Sequence, residues 1–283
     1  MPSTDRTAWD RVQLARHQLR PKTLDYVGAM LEPWVELHGD RGHGDDAAMV
    51  AGVGVLDGRS VAVLGHQRGS DTKENVTRNF GMPHPEGYRK ARRVMELAGK
   101  FRLPLVCFVD TPAADPGMES EERGQAQAIA ENLYTLANLA VPIVVVVIGE
   151  GGSGGALAIG VGDRTYMLEN SVYSVASPEA SASILWHDPA KAPEAAETMR
   201  ITAGDLFELG IVDQVIPEPP DGAHADHAAV LSSVSAELVG ALEALDREYG
   251  TDAGYDEQPL LRDRAQKYRR IGRWQEAQAL AGA

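Results

Sequence analysis

Apolar and polar positions follow two rhythms along the chain, and each change of rhythm marks an element. Residues 103–110 and 143–148 are continuous apolar runs, too short for a helix and apolar on both faces, so they predict strands buried between layers. Residues 49–56 and 60–65 are two further apolar runs joined at Asp57-Gly58, a hairpin signal. Helical spacing predicts helices over 88–100, 119–139, 192–199 and 228–249, with a shorter one over 201–209. Ser177 before Pro178 reads as a helix cap, residues 164–175 as further strand material, and 212–216 as a last strand ended by Pro217. Nearer the N-terminus, Trp9, Val12 and residues 14–19 suggest a short helix stopped by Pro21. Thr23 looks like the cap of another, whose apolar positions Leu24, Val27, Met30, Leu31, Val35 and Leu37 run past a disruptive Pro33. Helix, buried strand, turn and helix occur twice in succession around 103–110 and 143–148, which predicts stacked β-α units.

The second of these turns carries the densest chemistry. After Ile148 come Gly149, Gly151, Gly152, Gly154 and Gly155, which let backbone approach a ligand closely, and the helix is expected to begin at Ala156. Free N–H groups at a helix start favour an anion, or an oxygen on which charge develops. Three chemistries fit. Gly149-x-Gly151-x-x-Gly154 with Glu169 downstream satisfies a dinucleotide fingerprint. Gly151-Gly152-Ser153-Gly154-Gly155 matches a nucleophile elbow, with Asp213 and His224 following in hydrolase order. The third is a backbone oxyanion hole in which the glycine turn itself is the catalytic device. The absence of Gly-Lys-Ser/Thr excludes a P-loop.

Composition narrows the partners. The 283 residues are 43% hydrophobic, enough for a sizeable core, and the net charge of -14 argues against nucleic acid or an anionic membrane as main partner. Cys107 is the only cysteine, which rules out an internal disulfide or a cysteine zinc site in this chain. No signal segment opens the sequence and no run of about 18 apolar residues interrupts it, so a cytoplasmic protein is expected. The His- and Asp-rich stretch 38–46 and the pair His224 and His227 meet no metal-ligand spacing and read as solvated turns. Residues 67–88 are long and polar for a loop, and locally basic through Arg68, Lys73 and Arg78. Arg262, Arg264, Lys267, Arg269, Arg270 and Arg273 crowd a terminal helix with Tyr268 and Trp274. That helix either packs its aromatics on the body or presents a phosphate or acidic-partner surface.

Longer strings carry a resemblance. Arg20-Pro-Lys-Thr-Leu-Asp-Tyr26, His38-Gly-Asp-Arg41, Gly65-His-Gln67, Asn79-Phe-Gly-Met-Pro-His-Pro-Glu-Gly-Tyr-Arg-Lys90, Glu121-Glu-Arg-Gly-Gln125, the glycine turn through Asp163, Ser183-Ile-Leu-Trp186 and Ile216-Pro-Glu-Pro219 are similar to signature stretches of the alpha subunits of bacterial acetyl-CoA carboxylase carboxyltransferase. The likeness runs from about Ala8 to Trp274. It implies an α/β crotonase-like superhelix of repeated ββα units with flanking terminal helices: an N-terminal segment 1–22, a carboxyltransferase domain 23–250 and a basic C-terminal helix 251–283.

The same resemblance implies transfer of a carboxyl group from carboxybiotin on a carrier protein to an acyl-CoA, most simply acetyl-CoA. It also implies activity only with a beta subunit, in a heterotetramer that holds the zinc ribbon. Because biotin in such enzymes supplies the base as well as the carboxyl group, no side-chain base is required. Gly154, Gly155 and Ala156 then correspond to the backbone hole for the biotin ureido oxygen, and Gly151, Gly152, Ser153, Thr111, Pro112, Ala113 and Ala114 to the substrate-binding turns. The chain departs from the family pattern at Ala113 and Asp115, where Gly and Tyr are usual, and at Ala180-Ser181, where Gly-Cys is usual; its N-terminal helical extension is also shorter. Ala113 is expected to crowd a position needing positive φ, and Asp115 to add a charge near the site. These departures leave open a carboxyltransferase or decarboxylase of secondary metabolism, or a non-catalytic scaffold that docks the biotin carrier.

Overall fold

The computed structural model describes residues 6–272. Eight strands form one sheet: β1 (Leu31–Glu36), β2 (Met49–Leu56), β3 (Arg59–His66), β4 (Leu105–Thr111), β5 (Ile143–Gly152), β6 (Arg164–Leu168), β7 (Val172–Ser174) and β8 (Gln214–Ile216). They lie in the order β1-β2-β3-β4-β5-β6-β8, with β7 paired to the far end of β5. β1, β2 and β3 pair antiparallel; every later pairing is parallel. Asp57 and Gly58 close the β2–β3 hairpin with φ of 47° and 78°, the left-handed pair that a two-residue turn requires.

Strands β4 and β5 are buried along their whole length because helices cover both faces, as their unbroken apolar sequence requires. Cys107, Val109, Val145 and Val147 point to one face, where Tyr88, Val94 and Met95 of helix Pro85–Phe101 and Leu136 of helix Gln125–Asn138 meet them. Val106, Phe108, Val144 and Val146 point to the other, against Tyr26 of helix Thr23–Met30 and Val234, Leu238 and Leu242 of helix His227–Tyr249. Each such side chain, fully removed from water, contributes about 1.5–3 kcal/mol. Among the described residues, His227–Tyr249 is the one helix long and apolar enough to cross a membrane; its buried stripe lies on the sheet.

The structure corrects several expectations. Residues 31–36 are an edge strand, because pairing with β2 outweighs their helical spacing and Pro33, which lacks an N–H, is tolerated at an edge. Lys22 is the cap residue of the following helix, while the Thr23 hydroxyl donates to the His66 carbonyl at 2.5 Å. The N-terminal helix ends at Ala15. Residues 119–139 are two helices, Met118–Glu122 and Gln125–Asn138, broken at Gly124 with φ 85°. The polar stretch 67–88 contains helix Thr72–Thr77 and a 3-10 turn before helix Pro85–Phe101.

The basic terminal helix, Glu257–Arg269, is fastened by one residue. Arg264, 2% exposed, donates to both Asp163 oxygens at 2.8 Å and to the carbonyls of Leu136, Leu139 and Val141 at 2.7–2.8 Å. All its N–H donors are thereby engaged. Lys267 pairs with Asp213 at 2.5 Å, whereas Arg269 and Arg270 are exposed. Arg273 and Trp274, like residues 1–5, lie outside the described residues.

Candidate functional site

Two strand ends build the site. Along β4 and β5, Val109 is opposite Val147, but the next pair is Thr111 with Gly151, so β5 contributes extra residues at this step. Such a bulge bends the strand and re-aims the residues beyond it. Asp110 occupies the gap: its Oδ1 accepts the Glu150 backbone N–H at 3.0 Å, and a Cβ on Gly149 would lie 2.3 Å from that oxygen. Burial pushes the Asp110 carboxyl above its ordinary value, opposed by Arg68 and the Glu150 N–H.

Beyond the bulge the two turns pack backbone to backbone. A Cβ on Gly152 would sit 1.9 Å from the Pro112 carbonyl oxygen, and one on Gly155 2.4 Å from the Ala114 nitrogen. A Cβ on Gly151 would stand 2.7 Å from the Tyr173 ring. On the side where a Cβ would stand, these three glycines therefore admit the protein's own neighbouring segments, not a ligand as their sequence suggests. Gly154 differs: a Cβ there would meet only the Ile129 side chain, at 3.8 Å. On the facing turn, the Thr111 hydroxyl donates to the Ala113 carbonyl at 2.6 Å and accepts the Ala113 N–H at 3.2 Å. Ala113 is absent from the left-handed residues, so the expected crowding does not arise. Asp115 is drawn into a local cluster, accepting from Asn79 Nδ2 at 2.8 Å and pairing with His84 at 3.3 Å. Burial would raise its pKa, but hydrogen bonds hold it below the usual value.

The helix leaving β5 is Ser153–Leu157, starting three residues before the expected Ala156. Ser153 enters it at φ 54°, a left-handed elbow on a side-chain-bearing residue. In α-helical pairing the N–H groups of Ser153, Gly154 and Gly155 have no carbonyl four residues back, whereas fully buried Ala156 is the fourth residue and falls opposite Gly152. Ser153 and Gly154 border an apolar cavity of about 320 Å³ that Leu157, Tyr173, Leu206 and Tyr268 also line.

Neither side-chain chemistry suggested by the glycine motif is assembled. His224 stacks on His17 with ring centroids 3.7 Å apart, and Asp213 receives the Thr165 N–H at 2.6 Å and the Lys267 ammonium at 2.5 Å. Among the described residues neither hydrogen-bonds the other or Ser153, so no nucleophilic triad forms. Glu169 accepts from the Glu218 N–H at 3.3 Å and lies 3.8 Å from Arg11, an internal brace instead of a ribose ligand. No group of metal-ligating side chains occurs among the described residues.

Sequence reasoning missed the charges behind the turns. Glu150 meets Arg16 at 2.7 Å and Arg68 at 3.2 Å; Arg16 also meets Glu179 at 2.6 Å. It missed His66 as well, fully buried beneath the turn near the Gly155 and Phe108 backbone, with neither ring nitrogen in hydrogen-bond geometry. Burial pushes this histidine down to about 3, so it is neutral. Only the lone Glu150 inside a glycine run hinted at such a cluster.

A mixed sheet that delivers two backbone turns side by side at strand ends is the architecture of crotonase-like carboxyltransferases, and solved structures match it. Transcarboxylase 12S superposes with a TM-score of 0.66 at 20% identity over 84% of this chain and 44% of that one. A Pseudomonas malonate decarboxylase hetero-tetramer in complex with coenzyme A has a TM-score of 0.66 at 20% identity, over 85% and 91% of the two chains. At that identity the likeness is one of fold. Residues 4–272 match the family described as acetyl co-enzyme A carboxylase carboxyltransferase-like, and the chain belongs to that family. Relatives named acetyl-coenzyme A carboxylase carboxyl transferase subunit alpha are 54% identical: one from Listeria monocytogenes over 94% of this chain and 81% of its own length, one from Geobacillus over 95% and 80%.

Proposed function

We propose that this chain is the alpha subunit of a biotin-dependent carboxyltransferase that carboxylates an acyl-CoA, acetyl-CoA giving malonyl-CoA being the acceptor its relatives' names favour. The observation that carries the site assignment is the elbow at Ser153, after which the Gly154 and Gly155 N–H groups stand without helical partners, Gly154 at the border of an apolar cavity. That combination fits a bicyclic, largely apolar ligand with one hydrogen-bond-accepting oxygen. Carboxybiotin, carried on a separate carrier protein, supplies the carboxyl group. The turn Gly154-Gly155-Ala156 holds the ureido oxygen through backbone N–H, with Ala156 closing the turn from behind. Thr111, Pro112, Ala113 and Ala114 form the facing wall, and Gly151, Gly152 and Ser153 set its spacing. One missing donor of this kind costs about a hundredfold to a thousandfold in turnover.

The second oxyanion hole, for the thioester oxygen, and the zinc ribbon belong to a beta subunit in a heterotetramer, and the assembly works in the cytoplasm. The test is carboxyl transfer with carboxylated carrier and a panel of acyl-CoA acceptors, comparing this chain alone with this chain plus its beta partner. Transfer to acetyl-CoA only in the complex is expected; transfer by the isolated chain, or none in the complex, overturns the reading.

A further inference from the structure

A second cavity, of about 290 Å³, lies on the other side of Asp110, between residues 15–22 and the basic stretch that begins at Arg68. It falls near the lower end of the roughly 300–1,000 Å³ usual for small-molecule sites. Its lining brings Arg16, Arg20, Lys22 and Arg68 together in an acidic protein. Two of the four are matched: Arg16 by Glu150 and Glu179, Arg20 by Glu218.

Lys22 has no such match, and Arg68 is matched through one nitrogen only. Lys22 is 6% exposed, and its ammonium donates only to the carbonyls of Gln18 at 2.8 Å and Arg20 at 3.1 Å. It forms no ion pair among the described residues, and burial pulls its pKa below the ordinary lysine value. A buried ammonium without a counter-ion is costly unless something supplies the opposite charge. Arg68 meets Glu150 at 3.2 Å and Asp110 at 3.5 Å through Nη1 alone, which leaves Nε and Nη2 without partners among the described residues. Thr72 and Asn75 line the same space; Asn75 uses Oδ1 to accept the Gly69 N–H, and the Thr72 hydroxyl and Asn75 Nδ2 make no hydrogen bond among the described residues.

We propose that this cavity binds a phosphate group, with Lys22 and Arg68 supplying charge and Thr72 and Asn75 further donors. A point-charge ammonium beside a planar guanidinium with free N–H groups is the donor set that phosphate oxygens match. The cavity has room for a phosphate borne on a larger molecule. The site uses none of the backbone donors assigned to the glycine turn, so it stands or falls independently of the proposed reaction.

The test is isothermal titration and thermal melting of the full chain with inorganic phosphate, against chloride at matched ionic strength. Phosphate about tenfold above its Kd should raise Tm by about 2 °C, and chloride should not. Lys22→Met should abolish the phosphate increment while Lys22→Arg keeps it, and Thr72→Val, at an exposed position, should weaken binding several-fold. Equal effects of phosphate and chloride, or wild-type affinity in Lys22→Met, overturn the proposal. If Lys22→Met does not fold, unchanged affinity in Thr72→Val overturns it. Titration with coenzyme A and its 3′-dephospho form separates a phosphate carried on the acyl-CoA handle from a free one: tighter binding of the former, lost in the same variants, identifies the handle.

Discussion

The Asp110 carboxylate takes the Glu150 backbone N–H at 3.0 Å at the step where β4 and β5 change register, and so fixes how the two site turns meet. Removing that acceptor leaves a buried N–H unsatisfied, a cost of about 1–3 kcal/mol. Asp110→Ala should therefore lower Tm by several degrees and reduce turnover of the reconstituted complex at least tenfold. Asp110→Asn, which keeps an acceptor oxygen, should recover most of the stability. Melting curves and kcat for the two variants check this; an alanine variant with wild-type turnover would show that the bulge does not set the site.

Gly155 and Gly154 should respond oppositely to a methyl group. A Cβ on Gly155 would stand 2.4 Å from the Ala114 nitrogen and 2.6 Å from the Ala113 carbonyl carbon, both backbone, whereas one on Gly154 would meet only the Ile129 side chain, at 3.8 Å. Gly155→Ala must push the two turns apart, at about 1–3 kcal/mol for overpacking, while Gly154→Ala should melt close to wild type. Denaturant unfolding of both variants decides the point.

Ser153 sits at φ 54°, where a side chain costs about 1–2 kcal/mol relative to glycine. Ser153→Gly should stabilise the chain, and Ser153→Ala should change turnover by less than about tenfold because the hydroxyl has no chemical task. A loss of several thousandfold, as removal of a triad nucleophile causes, would restore the hydrolase reading.

His66 should make stability fall in mild acid. Its folded pKa of about 3 lies below the unfolded value of 6.5, so below pH 6.5 the unfolded chain takes up a proton that the folded chain refuses. The contribution is complete above pH 6.5 and is lost as pH drops toward 3. Between pH 7.5 and pH 5 this amounts to about 2 kcal/mol by linkage. From urea titrations, wild type should lose more unfolding free energy than His66→Leu between the two pH values, by about that amount; equal losses would mean that His66 charges freely in the folded state.

Much of this protein is legible in its sequence because the informative features are local. Strands β4 and β5 follow from apolar runs that only a two-sided burial satisfies, the hairpin from Asp57-Gly58, and the helix at Pro178 from Ser177, whose hydroxyl accepts the Ala180 N–H at 3.1 Å. The glycine turn and its neighbour at Thr111 were also visible, and the family with them.

What only the tertiary structure decided involves partners distant in the chain. Whether Leu31 and Val35 extend a helix or form an edge strand depends on β2 being there to pair with, which spacing alone cannot express. Whether the terminal helix packs on the body or presents a basic surface is open in the sequence until Arg264 is seen engaged by Asp163 and three carbonyls from more than a hundred residues away. The glycines of the site turn look like room for a ligand, yet at Gly151, Gly152 and Gly155 that room is filled by Tyr173, Pro112 and Ala114. Glycine permits close approach without saying what approaches; which neighbour arrives is set by how the strands register.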